Sequence, residues 1–172
     1  GGVGKTALTQ HIFRELESSF QVSVWICVSL DFNADRLLQE IVDKIPKVNG
    51  EKVNTSNQEL IEQRLKSKRL LLVLDDEWTY HEDEWKKLLA PLKHNNGDKG
   101  NVVIVTTRIP KVASMVTTTN SSIDVERLSH GDTMSFFEVC VFGDQRPWED
   151  HPELRDVGNT IVTKLKGFPL AL

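Results

Sequence analysis

The sequence predicts an α/β fold with a parallel sheet, and three observations support that prediction. Short apolar runs rich in valine, isoleucine and leucine occur at 21–30, 69–75 and 102–106, which is typical of buried strands. The segments between them place apolar residues at helical spacing. The run at 69–75 ends in acidic residues, as expected for a central parallel strand. Strands that alternate with helices in this way indicate a parallel sheet with helices on both faces.

Composition fits a globular fold and argues against some functions. Hydrophobic residues make up 39% of the 172 residues and charged residues 27%, so there is enough apolar material for a core. The formal net charge of −4 gives no indication of a nucleic-acid surface. The apolar runs are too short to span a membrane. Two isolated cysteines, Cys27 and Cys140, lie in apolar stretches and are predicted to be buried thiols in a reducing compartment.

The first part of the chain predicts three helices around the first two strands. Apolar residues repeat at helical spacing at 7–16, 37–45 and 60–65. The second of these helices is expected to stop before Pro46, because proline disfavours helical backbone at the preceding residue. The stretch 47–56 is polar and predicts a loop.

The second part continues the alternation and then changes character. From about residue 130 the strand signals stop, so we expect the start of a small helical subdomain there. The predicted elements are a helix at 85–92, a loop at 94–101, a strand at 102–106, a weaker strand at 123–126, and helices at 131–142 and 152–165.

The chain begins with a glycine-rich loop that ends in Gly-Lys-Thr, as a phosphate-binding P-loop does. Glycines let main-chain N–H groups turn toward phosphates, and the following helix adds its positive end to the anion site. Lys5 would reach the β- and γ-phosphates, and the Thr6 hydroxyl would bind Mg²⁺. Taken alone, the motif could also be an ordinary glycine turn. The residues predicted to bind the nucleotide phosphates here are Gly2, Val3, Gly4, Lys5 and Thr6.

The acidic end of the apolar run at 69–75 supplies a second signal. Asp75 closes the run, where it can hold Mg²⁺ directly or through water. Asp76 can orient or deprotonate an attacking water, and it is the predicted catalytic residue. The alternative is a solvated acidic loop after a core strand, but a P-loop upstream in the same α/β chain argues against it.

Arg108 follows the strand at 102–106 and supplies a third signal. An arginine at this place can point into a site at the strand ends, where parallel sheets bind ligands. Its guanidinium would contact the γ-phosphate and so distinguish ATP from ADP. The alternative is an ordinary surface arginine.

The order of these motifs resembles the NB-ARC domain of plant disease-resistance proteins of the nucleotide-binding, leucine-rich-repeat type. The glycine loop is similar to the end of the family's P-loop. The segment 71–78 resembles its kinase-2 motif, and 103–108 resembles its third motif. Similar patterns occur after the first helix at 20–32, at 128–142, and at 167–172, which resembles the GLPLA motif. The resemblance covers essentially the whole chain.

This resemblance implies a P-loop NTPase fold of the STAND and AAA+-like kind. It implies an incomplete nucleotide-binding subdomain over 1–128 and the start of the helical ARC1 subdomain over 129–172. The family is a switch that holds ADP at rest and ATP when active, with slow hydrolysis at most. The implied cofactors are ADP or ATP and Mg²⁺, and Pro169 would pack near the adenine.

The resemblance also implies where such a chain works. It implies a cytoplasmic immune receptor of plants, involved in the defence response, with coiled-coil and leucine-rich-repeat domains flanking the segment. Trp78 closes the segment that is similar to the kinase-2 motif, and a tryptophan there resembles the pattern of the class whose N-terminal domain is a coiled coil. The resemblance leaves open whether the active state is oligomeric. Three residues depart from the family pattern, namely Glu77, Met134 and Phe168.

A further implication concerns the first central strand, which in P-loop folds precedes the glycine loop and is absent from this sequence. By resemblance it would lie between the strands at 69–75 and 102–106. Both neighbours would then expose unpaired N–H and C=O groups. We therefore expect these residues alone to be prone to aggregation and to bind nucleotide poorly.

Two other functions fit parts of the sequence. A turnover ATPase or small-molecule kinase would also use a P-loop, but it would need a substrate pocket or a basic lid that the sequence does not indicate. A degenerate domain that binds nothing is the third hypothesis. The intact Lys5, Thr6 and Asp75 argue against it.

Overall fold

The computed structural model describes residues 1–28, 32–78, 81–93, 100–117, 122–143, 148 and 151–171. The chain divides into two compact units, one formed by 6–122 and the other by 1–5 together with 123–172. We call them the sheet unit and the helical unit. Residues 29–30 of the first predicted strand and 94–99 of a predicted loop lie outside the described residues.

Among the described residues, the sheet unit contains a parallel sheet of three strands, which confirms the predicted fold class. The strands are β1 (Val22–Cys27), β2 (Leu70–Glu77) and β3 (Val102–Thr107), in the order β1-β2-β3. Val22 pairs with Leu70, and Leu71 pairs with Val102. Strands hydrogen-bonded in this way lie only about 4.8 Å apart. The prediction that a missing strand lies between β2 and β3 is therefore wrong, because these two strands pair with each other directly.

Seven α-helices occur among the described residues, and two short 3₁₀ turns accompany them at 17–19 and 169–171. The one at 110–116 was not predicted; it begins with proline at its first position, where the missing N–H costs nothing. The helices are α1 (Lys5–Leu16), α2 (Ala34–Lys44), α3 (Asn57–Arg64), α4 (Glu82–Lys93), α5 (Pro110–Val116), α6 (His130–Phe142) and α7 (Leu154–Leu165). None of these helices is long and apolar enough to cross a membrane.

Local sequence explains where α2 and α3 begin. The Asn33 side chain accepts a hydrogen bond from the main-chain N–H of Arg36 and so caps α2. At the start of α3, Ser56 and Glu59 each accept from the other's main-chain N–H, which is a capping box. Such caps satisfy N–H groups that have no partner inside the helix.

Helices cover both faces of the sheet, and strand alternation decides which residues meet them. Val24 and Leu72 pair in register and belong to the main core, together with the apolar faces of α2, α3 and α4. The next residues along the strands, Trp25 and Val73, point to the opposite face. There the Trp25 ring packs edge-on against Phe13 of α1, with ring centroids 5.5 Å apart.

A buried arginine fixes the loop that follows α2. Arg64 is only 4% exposed and makes two charge-assisted contacts with Glu51, of 2.7 and 2.8 Å. Its Nη1 also donates to the main-chain oxygens of Val42 and Ile45, at the end of α2. The guanidinium therefore joins α2, α3 and the loop between them.

In the helical unit, α6 packs against α7, and Gly167 fixes the segment that follows them. Gly167 has a positive φ of 74°, and a Cβ atom there would lie 2.3 Å from the main-chain oxygen of Leu128. Its own oxygen accepts from the main-chain N–H of Leu128 at 3.0 Å. This close approach requires glycine.

Two further sequence predictions are wrong. Residues 122–129 form neither helix nor strand, so the weak strand predicted at 123–126 does not exist. Alternation of apolar and polar residues is insufficient when no neighbouring strand supplies hydrogen bonds. Cys27 and Cys140 are both exposed and not buried. Cys27 ends an edge strand, and Cys140 lies on the solvent side of α6.

Candidate functional site

Asp75 stands at the carboxyl end of β2, where it is 4% exposed and accepts two hydroxyl hydrogen bonds on one oxygen. Thr106 of β3 donates to Asp75 Oδ1 at 2.6 Å, and Thr6 of α1 donates to the same oxygen at 3.1 Å. The carboxylate is thus fixed by the neighbouring strand and by the helix that follows the glycine loop. Sequence positions 6, 75 and 106 meet at the strand ends because the sheet is parallel.

The Thr6 and Asp75 oxygens fit a magnesium ion. Both are hard oxygen donors, and they lie 3.1 Å apart. An octahedral Mg²⁺ with bonds of about 2.0–2.1 Å separates adjacent ligands by about 2.9 Å. Among the described residues, no group of three His, Cys, Asp or Glu side chains could hold a metal by itself. Two protein ligands suit a magnesium ion that takes its remaining ligands from water and phosphate.

Asp76 has an unusual backbone conformation for a strand residue. Its φ is +58°, in the left-handed region. The pairing of β2 with β3 shifts by one residue here, since Leu74 pairs with Val105 but Glu77 pairs with Thr107. The shift puts one extra residue into β2, as a β-bulge does, and we call it the bulge; such features re-aim side chains and are common beside active sites. The Asp76 N–H donates to Thr106 Oγ1 at 2.9 Å, so the bulge is anchored to β3.

Arg108 lies directly after β3 and meets the Asp76 side chain. Its Nε is 3.4 Å from Asp76 Oδ1, and the two side chains are 43% and 39% exposed, respectively. The guanidinium carbon also lies 4.6 Å from the centre of the Trp78 ring. The predicted catalytic carboxylate and the predicted phosphate-sensing arginine are therefore neighbours, and both reach solvent.

The glycine loop belongs to the helical unit. Gly2 and Gly4 have φ angles of +85° and +99°, which side-chain-bearing residues rarely adopt. The Gly2 oxygen accepts from the main-chain N–H of Leu170 at 3.3 Å. Leu170 lies in the 3₁₀ turn that begins at Pro169, so the predicted adenine-proximal proline is close to the loop.

The structure brings together four predicted residues within the sheet unit: Thr6, Asp75, Asp76 and Arg108. The loop residues Gly2, Val3, Gly4 and Lys5 and the predicted adenine neighbour Pro169 lie in the helical unit. Lys5 and Thr6 are consecutive at the start of α1. Their roles in binding stay predictions.

Two sets of contacts at the site are not among the sequence predictions, those of Thr106 and those of Trp78. Thr106 was seen only as part of the motif at 103–108, yet its hydroxyl connects Asp75 with the Asp76 main chain. Two threonines before an arginine at a strand end are the signal that could have suggested hydroxyl contacts to the adjacent acidic strand. Trp78 was interpreted only as a marker of one receptor class.

Comparison with known proteins identifies the family. Residues 1–146 match the NB-ARC domain. "Disease resistance protein RGA2" from Solanum bulbocastanum is 38% identical over 175 residues, which cover 99% of this chain and 18% of that protein. "Disease resistance RPP13-like protein 4" from Arabidopsis thaliana is 34% identical over 176 residues, covering 100% of this chain and 20% of that protein.

The chain thus spans about a fifth of the length of these relatives. Its family match covers the glycine loop, all three strands and the site at the strand ends. The acidic strand end, the threonine at the start of α1 and the arginine after β3 all lie within the matched residues. The chain belongs to the NB-ARC domain family.

Proposed function

We propose that the chain is the nucleotide-binding switch segment of a plant immune receptor and binds ADP or ATP with Mg²⁺. The observation that carries this proposal is the cluster at the strand ends. Thr6 and Asp75 share a contact of 3.1 Å, and Arg108 lies 3.4 Å from Asp76. A magnesium ligand pair beside a carboxylate and a cation suits phosphate chemistry.

The proposed roles follow from this geometry. Thr6 and Asp75 hold Mg²⁺, which neutralises phosphate charge when it is bound. Asp76 orients the attacking water, and Arg108 contacts the terminal phosphate. Lys5 and the N–H groups of Gly2, Val3 and Gly4 bind the phosphates, while Pro169 lies near the base. The Gly-Lys-Thr motif and the positive φ angles of Gly2 and Gly4 support the roles proposed for the loop residues.

Hydrolysis in the proposed switch is slow and resets it. Asp76 is 39% exposed and its carboxylate lies 3.4 Å from the Arg108 Nε, so part of this carboxylate is engaged by the arginine and not by an attacking water. We propose that the γ-phosphate shifts the population between two arrangements of the chain. The protein would be cytoplasmic and would carry coiled-coil and leucine-rich-repeat domains, with a defence role like that in the relatives' names. Oligomerisation would accompany the ATP-bound state.

Calorimetric titration of the full-length receptor that carries this segment, with ADP and with a non-hydrolysable ATP analogue, tests the proposal. Lys5→Ala should weaken binding at least about tenfold, because a hydrogen bond to a charged group contributes about 1.5–3 kcal/mol. Lys86→Ala is the matched control, since Lys86 is 64% exposed and pairs with Glu82 in its own helix. Its affinity should stay within about twofold.

Two results would contradict the proposal. Unchanged ADP affinity in Lys5→Ala would reject the P-loop assignment. Steady turnover above about 1 s⁻¹ would favour a turnover ATPase, because that rate lies within the usual range of enzymes. A switch should instead retain its nucleotide through many minutes of incubation.

A further inference from the structure

Trp78 follows β2 directly and places its ring against Arg108. The guanidinium carbon lies 4.6 Å from the ring centre, within the distance at which cations are attracted to an aromatic face. Trp78 is half-buried. The contact lies at the end of the sheet that carries the candidate site, one residue beyond the buried Glu77.

Two partners hold Arg108 from different directions. The Asp76 carboxylate contacts Nε at 3.4 Å, and the Trp78 ring covers the guanidinium carbon. A guanidinium has five N–H donors, all in its plane. A ring on the face uses none of them and an ion pair at Nε uses one, so donors on the Nη atoms stay available to an anion.

The ion pair alone would hold this side chain weakly. Arg108 is 43% exposed and Asp76 is 39% exposed, and an exposed pair contributes little because water screens it. A long arginine side chain also loses rotamer freedom when it is fixed. A rigid indole beside it restricts the guanidinium to one plane, so less freedom is lost when phosphate binds.

The other tryptophans of the sheet unit make different contacts. Trp85 is 2% exposed and packs on Phe32 in the core, with centroids 4.9 Å apart. Trp25 meets Phe13 on the sheet face. Both contribute to packing, whereas Trp78 combines partial exposure with a cation at the site.

We propose that Trp78 is a specificity-determining positioning residue for the terminal phosphate of the nucleotide. By fixing the plane of Arg108, it raises the preference for a nucleoside triphosphate over a diphosphate. This inference rests on the proposed function, since it concerns the same site. Trp78 acts through Arg108 and does not itself contact the nucleotide.

The affinities for ADP and for a non-hydrolysable ATP analogue are compared in the full-length receptor that carries this segment. Trp78→Leu should lower the ratio of triphosphate to diphosphate affinity about three- to tenfold, because leucine keeps bulk but has no aromatic face. ADP affinity should change less than about twofold, since ADP lacks the γ-phosphate that Arg108 would contact. Trp78→Phe should retain part of the ratio, because phenylalanine is a weaker cation partner than tryptophan.

A double-mutant cycle separates positioning from general packing. In an Arg108→Ala background, Trp78→Leu should leave the ratio unchanged, because no guanidinium remains to be positioned. Trp25→Leu is the control, since it removes an indole of the same unit that contacts Phe13 and not Arg108. It should leave the ratio unchanged even if the melting temperature falls.

The possible results are distinct. The inference about Trp78 is overturned if Trp78→Leu leaves the ratio of triphosphate to diphosphate affinity unchanged, or lowers it equally with and without Arg108. In either case, ADP binding by the unmodified protein still supports the proposed function. If the unmodified protein binds neither nucleotide, the proposed function and the inference about Trp78 both fail. If Trp78→Leu does not fold, Trp78→Phe takes its place, and an unchanged ratio in that variant overturns the inference.

Discussion

The Thr106 hydroxyl donates a hydrogen bond to Oδ1 of the buried Asp75 carboxylate across 2.6 Å. The same oxygen of Thr106 accepts the main-chain N–H of Asp76 at 2.9 Å. One hydroxyl on β3 therefore orients the proposed magnesium ligand and anchors the bulge that carries the proposed catalytic carboxylate. Both relationships depend on the direct pairing of β2 with β3.

Thr106→Val should damage stability and nucleotide binding together. It leaves a buried carboxylate oxygen and a main-chain N–H with one hydrogen-bond partner fewer, which costs about 1–3 kcal/mol. Urea unfolding measures the stability change, and titration with ADP in the presence and absence of magnesium measures its effect on the metal site. Thr106→Ser keeps the hydroxyl and should behave nearly as the unmodified protein. Equal behaviour of the valine and serine variants would contradict the role assigned to this hydroxyl.

Substitutions at Asp76 should separate backbone strain from chemistry. Asp76→Asn removes the carboxylate but keeps a residue type that tolerates the left-handed region, so binding should persist while hydrolysis slows. Asp76→Ala should lose stability in addition, because strain at such a φ costs about 1–3 kcal/mol when no local side-chain hydrogen bond compensates. Single-turnover hydrolysis and thermal melting measure the two effects. Unchanged hydrolysis in Asp76→Asn would show that this carboxylate is not catalytic.

Gly167→Ala should destabilise the helical unit by more than about 2 kcal/mol. The new Cβ would lie 2.3 Å from the Leu128 oxygen, on a residue whose φ is +74°. Gly131→Ala in α6 is the matched control, because its Cβ would come no closer than 3.8 Å to the Ser129 hydroxyl. In a helix that change should be neutral or stabilising by up to about 1 kcal/mol. Similar melting temperatures for the two variants would contradict the close-approach argument.

Glu51 should make stability depend on pH in the acid range. The hydrogen bond from the Arg64 guanidinium, with help from the Val48 N–H, lowers the pKa of Glu51 from 4.5 to about 2. A carboxyl whose pKa is lower in the folded state stabilises the fold above pH 4.5, and the contribution is lost as pH falls from 4.5 toward 2. Urea unfolding between pH 3 and pH 6 should show this slope. Glu51→Gln cannot titrate and should have a shallower slope over the same range.

The sequence predicted the elements whose patterns are local. The apolar run of β2 and the acid at Asp75 were predictable, because a buried parallel strand shows both faces as apolar and its carboxyl end meets the ligand edge. The apolar face of α2 was predictable from the spacing of its apolar residues, and the end of α2 was predictable from Pro46. These features can be predicted without knowing which other elements pack against them.

The features that were missed depend on partners far away in sequence. The left-handed φ of Asp76 arises from the register shift against β3, and three consecutive acidic residues give no indication of it. Likewise, Val125 alternates with polar neighbours, but its segment pairs with no strand in the part of the chain that the structure describes. The stacking of Trp78 on Arg108 joins positions separated by β3 and α4, so only the folded chain shows it.

The backbone of Asp76 has a consequence for how this protein would respond to selection. Glycine at this position would remove the strain that a positive φ causes in a residue with a side chain. Loss of one residue from the bulge would restore regular pairing with β3. Laboratory evolution for heat resistance alone should therefore enrich such changes. The selected variants would be more stable, but the proposed catalytic carboxylate would be lost or displaced. Screens for heat-resistant variants of this domain should therefore also measure nucleotide hydrolysis in every round, since the proposed catalytic residue is also the residue with the positive φ.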